Sequence, residues 1–305
     1  VDARATGQAD PLPVGWRSLR LSLAGLRGGH SGVDIHEERG NAIKLLVRVL
    51  CDLASDAPLR LALLRGGTAR NALPREASAV IAVPAAVADG LPARVAAWQA
   101  LLQDELRGVE AGLSLHLDDA AADSVLAVAD QARWLNALHA APHGVRRWSL
   151  DVPGVVETSN NLGIVELTPN GGHANFMVRS LRDSGSAALA AELLSLLTLA
   201  GLPATASGHY PGWTPNPDSP LLALCQRVFT RRFGGTSTVK VVHAGLECGL
   251  IDARYPGMDT VSFGPTIRGA HAPGERVEIA SVDAAWQLLG ALLAALARGE
   301  LPAPA

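Results

Sequence analysis

Cysteine and lysine are scarce in this sequence, and each scarcity removes a class of function. Three cysteines, Cys51, Cys225 and Cys248, stand far apart in 305 residues. With no CxxC spacing and an odd count, they argue against a disulfide framework and a cysteine zinc site, and for a reducing compartment, the cytoplasm. Of the 26 basic residues only Lys44 and Lys240 are lysine. The arginines are scattered rather than striped, and the net charge is −3, so no footprint for nucleic acid or an anionic membrane is expected. No apolar run approaches the ~20 residues of a membrane span. The opening VDARATGQADPLPVGW lacks the charged start and apolar core of a signal peptide. It also begins at Val1, which suggests a trimmed or partial chain.

What is present is ordinary for a globular protein: 48% hydrophobic and 18% charged residues, too apolar for disorder. At roughly 150 residues per domain the length predicts two domains. Residues 1–15, rich in Pro and Gly, read as a linker. From Trp16 a strand alternates Leu19, Leu21 and Leu23 against Ser18, Arg20 and Ser22. A glycine-rich loop, a helix over Asn41–Ala54, strands at Leu59–Leu64 and Ala77–Val83, a helix near Leu91–Glu110 and a strand through Leu113–Leu117 follow. This order, β-α-β-β-α-β, predicts an open-faced sandwich with two helices on one face of an antiparallel sheet.

The next hundred residues echo that order: a helix around Val125–Ala141, strands near Val156–Thr168 and Ala174–Leu181, a helix at Ala187–Ala200, and a short strand near Ala204–Gly208. The proline-rich YPGWTPNPDSP, residues 210–220, marks a domain boundary. Beyond it a helix is expected at Pro220–Phe233, capped by Asp218 or Ser219. A β-branched strand at Thr238–Val242, a helix from Leu246, a strand at Thr260–Phe263 and a closing helix at Ser281–Arg298 complete the reading. That alternation predicts part of a parallel α/β layer with functional loops at its strand ends.

Four short strings carry chemistry. In GGHSG, residues 28–32, glycines flank His30 and let the backbone approach a ligand, although a solvated turn histidine is the commoner outcome. In RNALPRE, residues 70–76, Asn71 sits in a tight turn, where asparagine is common for conformational reasons alone. Arg179, in VRSLRDS at a strand end, suits a carboxylate, though most surface arginines are merely solvated. The last segment holds HAGLECGL, residues 243–250, with His243 and Glu247 spaced for one helix face, and FGPTIRGAHAPGE, residues 263–275, with His271 in a loop.

Taken in order, GLRGGHSGVDI, GNAIKLL, GGTARNALPREA, VVETSNNLGIV, VRSLRDS, YPGWTP, HAGLECGL and SFGPTIRGAHAPGE resemble bacterial aminoacyl-histidine dipeptidases. These are carnosinase-like members of the co-catalytic di-zinc metallopeptidases that also include aminoacylases and deacetylases. The resemblance implies a two-metal α/β catalytic domain interrupted by a lid of open-faced sandwich units. Residues 16–209 would be that lid and 210–305 the C-terminal part of the catalytic domain, with 1–15 the linker from its N-terminal part.

By the same resemblance His271 would be a zinc ligand, manganese or cobalt being substitutes, and His30 would donate to the developing oxyanion. Asn71 and Arg179 would orient the substrate, Arg179 taking its terminal carboxylate. Glu247 would sit near the substrate amino group. The implied reaction is metal-dependent hydrolysis of Xaa-His dipeptides of the β-alanyl-histidine type, with a homodimer left open.

The family's remaining ligands are expected ahead of the lid, so this chain alone is expected to be inactive. His116-Leu117-Asp118 and Glu37-Glu38 imitate ligand pairs, but the first ends a lid strand and the second lies in a solvated stretch. Two alternatives stand beside this reading: an N-acyl amino acid deacetylase on the same scaffold, whose lid would be about half as long, and a non-catalytic binding or dimerisation module.

Overall fold

The computed structural model describes residues 1–213, 216, 218–241, 247–268 and 274–301. The chain opens with strands β1 (Asp2–Thr6), β2 (Ala9–Pro11), β3 (Trp16–Ala24) and β4 (Gly29–His30), then helix α1 (Ala42–Asp56). Strands β5 (Arg60–Gly66), β6 (Ala72–Leu73) and β7 (Ala77–Pro84) follow, with helices α2 (Ala85–Ala88) and α3 (Leu91–Glu105) and strand β8 (Ser114–Asp119). The second unit comprises β9 (Ser124–Leu126), α4 (Val128–Ala140), β10 (Gly144–Trp148), β11 (Val156–Thr168), β12 (Gly171–Ser180), α5 (Asp183–Leu199) and β13 (Ala204–Thr205). Beyond it lie α6 (Pro220–Phe233), α7 (Glu247–Arg254), β14 (Ile267–Arg268), β15 (Arg276–Val277) and α8 (Ile279–Ala297).

The two expected sandwich units are one sheet. Its order is β13-β1-β12-β11-β5-β7-β3-β8, with β10 also beside β11, and its ladders are antiparallel. The join is the thirteen-residue β11. Its C-terminal end, Val165–Leu167, pairs with β5 of the first unit, while its N-terminal end pairs with β10. Leucines 19, 21 and 23 of β3, Val95 and Leu102 of α3, Trp134 and Leu138 of α4, and Leu193 and Leu197 of α5 belong to one buried core together with the inward face of α1. Helices α1, α3, α4 and α5 thus cover one face of the sheet and leave much of the other open.

Residues 1–15 are not the expected linker. β1 lies between β12 and β13, with Ala3 fully buried opposite Ala174, and β2 pairs with β9. The segment is held by ladder hydrogen bonds, which a linker would lack. The parallel layer expected after residue 210 is not formed among the described residues either. Residues 238–241 and Thr260–Phe263 pair with nothing described, and β14–β15 is a two-residue antiparallel ladder. Extended backbone becomes a strand only where a neighbour supplies hydrogen bonds, whatever its β-branched content.

The helices of this segment form as read. Ser219 Oγ caps α6 by accepting from Leu222 N at 2.9 Å, Pro220 opens it, and Gly234 at φ +75° closes it. α6 and α8 share a small core of Leu224, Val228, Leu288, Leu292 and Ala295. α8 is long and apolar enough to cross a membrane on length and composition, which the reading of short apolar runs did not foresee. Asp283 and Gln287 hydrogen-bond each other on its surface. Ile279 is 84% and Trp286 71% exposed.

A polar knot ties the two halves of the sheet. Asn41 caps α1, its Oδ1 accepting from Ile43 N and Lys44 N, while its Nδ2 donates to Leu162 O at 2.9 Å. Lys44 Nζ donates to the carbonyls of Leu138, His139 and Ala141, ending α4. His143 Nδ1 lies 3.4 Å from the Asn41 carboxamide nitrogen. Burial, and then the charge of Lys44, push the His143 imidazole down to about 4. Between about pH 6.5 and 4 the unfolded chain therefore binds the extra proton more readily, so stability present above this window is lost as pH falls through it. We expect a loss of about 2 kcal/mol from pH 7 to 4.5 by urea denaturation, flattened in His143→Gln. Equal slopes in the two proteins would refute the assignment.

Candidate functional site

The loop that carries His30 and the loop that carries Asn71 are zipped together. β4 pairs with β6, setting Gly29 opposite Leu73 and His30 opposite Ala72. Ser31 N adds a hydrogen bond to Asn71 O at 2.8 Å. Glycine is required at position 29: φ is +145°, and a Cβ would lie 2.3 Å from Arg39 Nη1 and 2.5 Å from Asp34 Oδ2. Those two groups hold the loop. Asp34 Oδ2 accepts from His30 N at 2.7 Å, Asp34 Oδ1 accepts from Arg39, and Arg39 also donates to Gly28 O.

The orientation of the His30 ring follows from its own backbone. Gly32 N and Val33 N donate to Nδ1 at 3.2 and 3.1 Å. An Nδ1 that accepts places the proton of the neutral ring on Nε2, which is then the donor. Gly32 packs against this ring, since a Cβ there would stand 3.2 Å from His30 Cε1 and 3.4 Å from Arg179 Cδ. The imidazole and the arginine are therefore neighbours.

Arg179, on β12, is buried and donates its Nε to Ser31 Oγ at 3.1 Å. Burial, and next the positive charge of Arg70, lower its affinity for the proton. His30, Asn71 and Arg179 line one broad cleft of about 1840 Å³, together with Met177, Ser180 and Tyr210.

Of the other expected site residues, Glu247 is the exposed first residue of α7. It reaches the cleft rim electrostatically: burial first, then Glu247 and Cys248, raise the Tyr210 phenol. His271 and His243 lie outside the described residues. The two decoys behave as decoys. His116 and Asp118 are exposed on β8, opposite Ser22 and Arg20. Glu37 pairs with Arg39 and Arg27, while Glu38 occupies a left-handed turn at φ 55°. Among the described residues no three His, Cys, Asp or Glu side chains gather as a metal site.

Three positioning residues escape a reading by motif: Ser31, Asp34 and Asn161. Asn161 is fully buried, and its Nδ2 donates to Arg70 O at 3.0 Å and Ala72 O at 2.8 Å, pinning the Asn71 turn from below. The available signal is the run Glu157-Thr158-Ser159-Asn160-Asn161, five consecutive buried polar residues in the middle of a sheet. A strand buried on both faces is ordinarily apolar, so such a run has work other than packing to do.

The sequence and fold are similar to those of known proteins. Residues 21–110 match the peptidase dimerisation domain. The chain is 46% identical over 285 residues to the cytosol non-specific dipeptidase of Escherichia coli (strain K12), across 93% of this chain and 59% of that protein. It also superposes on the crystal structure of aminoacylhistidine dipeptidase from Vibrio alginolyticus with a TM-score of 0.86 at 43% identity, over 96% of this chain and 60% of that one. The chain thus spans about three-fifths of the length of these two dipeptidases, to which it is similar over nearly all of its own length.

Proposed function

We propose that this chain is the lid, residues 1–209, and the C-terminal catalytic part, residues 210–305, of a metallo-dipeptidase that hydrolyses Xaa-His dipeptides of the β-alanyl-histidine type. The observation that carries the reading is the β4–β6 zipper, which brings a protonated ring nitrogen, a turn asparagine and a buried guanidinium into one cleft. In such a cleft Arg179 binds the substrate carboxylate through its planar fork. Asn71 orients the peptide, and His30 Nε2–H donates to the carbonyl oxygen as charge develops there. Glu247, beside Tyr210, suits the free amino group. His271 is the candidate ligand this chain contributes to a metal.

The likeness to dipeptidases supports a di-zinc centre in a protein of the relatives' length, with manganese or cobalt as substitutes. The described residues do not fit such a centre by themselves, because no trio of ligating side chains converges. A joined sheet of nine strands also favours a dipeptidase over the shorter-lidded deacetylases. The dimerisation domain at residues 21–110 supports a second copy of the chain as partner. Three free cysteines and a cytosolic relative support the cytoplasm.

The test compares this 305-residue chain with a protein completed to the relatives' length. We expect no β-alanyl-histidine hydrolysis by the chain alone with added zinc, and zinc-dependent turnover by the complete protein. Turnover by the chain alone, or a complete protein that cleaves N-acetyl amino acids and not dipeptides, would overturn the reading.

A further inference from the structure

The charges of the cleft do not balance. Among its lining arginines, Arg39 pairs with Asp34 and Glu37, Arg27 with Glu37, and Arg65 with Glu166. Asp2, also on the lining, is taken by His173 and Asn175. Arg70, Arg75 and Arg179 have no carboxylate within ion-pair distance among the described residues. A short chain of bonds ties Arg179 to the turn that carries Arg70. Arg179 Nε donates to Ser31 Oγ, Ser31 N donates to Asn71 O, and Asn71 follows Arg70 in the turn. The same turn is pinned on both sides of Asn71 by buried Asn161, through the carbonyls of Arg70 and Ala72.

Holding two guanidiniums near each other without an anion is unfavourable; burial first, and then the positive charge of Arg70, lower the proton affinity of Arg179. Arg75, on the far side of Pro74, does not contribute. A local conflict retained at a cleft is a mark of a ligand that resolves it. The guanidinium of buried Arg179 is planar, and Arg70 is exposed on the lining of the same cleft. A carboxylate has about four lone-pair positions, enough for a fork from one side and a second guanidinium from the other.

We propose that Arg70 is the second arm of a two-guanidinium clamp on the free carboxylate at the carboxyl end of the substrate, with Arg179 the buried first arm. This rests on the dipeptidase reading and deepens it: Arg70 sets the preference for a free carboxyl end over a blocked or continued one. The rigid arm fixes the position of the carboxylate, and the exposed arm adds charge that salt weakens.

The test uses the 305-residue chain and two probes, β-alanyl-histidine and its C-terminal carboxamide, titrated by NMR on the arginine Nε–H resonances. We expect the free acid to bind at least about tenfold more tightly than the amide, the scale of one charge-assisted contact. Arg179→Gln should abolish that preference. Arg70→Gln should reduce it to about threefold or less at unchanged amide affinity, while Arg70→Lys keeps most of it and Arg75→Gln leaves it intact. Raising the salt from 50 to 500 mM should narrow the gap between wild type and Arg70→Gln. If Arg70→Gln keeps the full preference while Arg179→Gln loses it, the second arm is refuted and the dipeptidase reading stands. If both variants keep it, or the unaltered chain does not distinguish acid from amide, the site itself has been misread.

Discussion

In a protein completed to the relatives' length, His30→Ala should lower kcat by ~10²–10³ while zinc content stays at the wild-type value. That is the cost of removing one preorganised oxyanion donor. The structure argues for a donor and against a metal ligand. Nδ1 is already engaged by the amides of Gly32 and Val33, and a ring held that way carries its proton on Nε2. A metal needs a lone pair, which neither nitrogen of this tautomer offers without breaking the turn. KM should change much less than kcat, since the bond strengthens chiefly as the oxyanion develops. A loop histidine of no catalytic consequence would instead give less than about a threefold change, within the ~0.5 kcal/mol usual for surface substitutions. His271→Ala should differ in kind, lowering metal content together with rate. Elemental analysis of each variant alongside its rate at saturating β-alanyl-histidine separates the cases. Loss of zinc in His30→Ala would make His30 a ligand, and an unchanged rate would return it to the solvated turn.

Where local chemistry decides, the sequence is readable. Ser219-Pro220 announces α6, because the serine side chain caps an amide of its first turn and the proline opens it. The alternation of Leu19, Leu21 and Leu23 gives the inward face of β3 directly. Reading fails where a neighbour decides. Asp-Ala-Arg-Ala-Thr has no β-branched residue before Thr6, and it becomes an inner strand because β12 and β13 supply ladders on both sides. Thr238 and its β-branched successors carry the opposite lesson: high strand preference without a described partner yields no strand. The site divides the same way. His30, Asn71 and Arg179 are conspicuous one by one, but the two-residue ladder that unites the first two, and the Ser31 hydroxyl that joins Arg179 to them, are products of tertiary structure. Arg70 stands beside Asn71 in the sequence and still gives no local sign of its bearing on Arg179.

The N-terminal boundary of the nine-stranded sheet offers the second large effect. A chain cut at Trp16, where the alternating pattern starts, should be far less stable than residues 1–209. The shorter piece loses β1, so β12 becomes an open edge and β13, whose ladder is with β1, has no partner. It also loses the burial of Ala3 and the pairing of β2 with β9, which helps hold the loop between the two units. Seven register pairs vanish at β1 alone, five with β12 and two with β13. At about 0.5–1 kcal/mol net for each hydrogen bond lost, the deficit is on the order of 4 kcal/mol. With an m-value near 2 kcal/mol/M, the urea midpoint of residues 16–209 should fall by about 2 M relative to 1–209. Residues 1–209 should unfold in one cooperative transition and stay monodisperse. The 305-residue chain should aggregate more readily, because α8 presents Ile279, Trp286 and Leu293 to solvent, the last 58% exposed. Equal midpoints for 1–209 and 16–209 would mean that β1 is an ornament of the sheet rather than part of its core. Equal solubility of 1–209 and the whole chain would mean that the exposed face of α8 is no liability in solution.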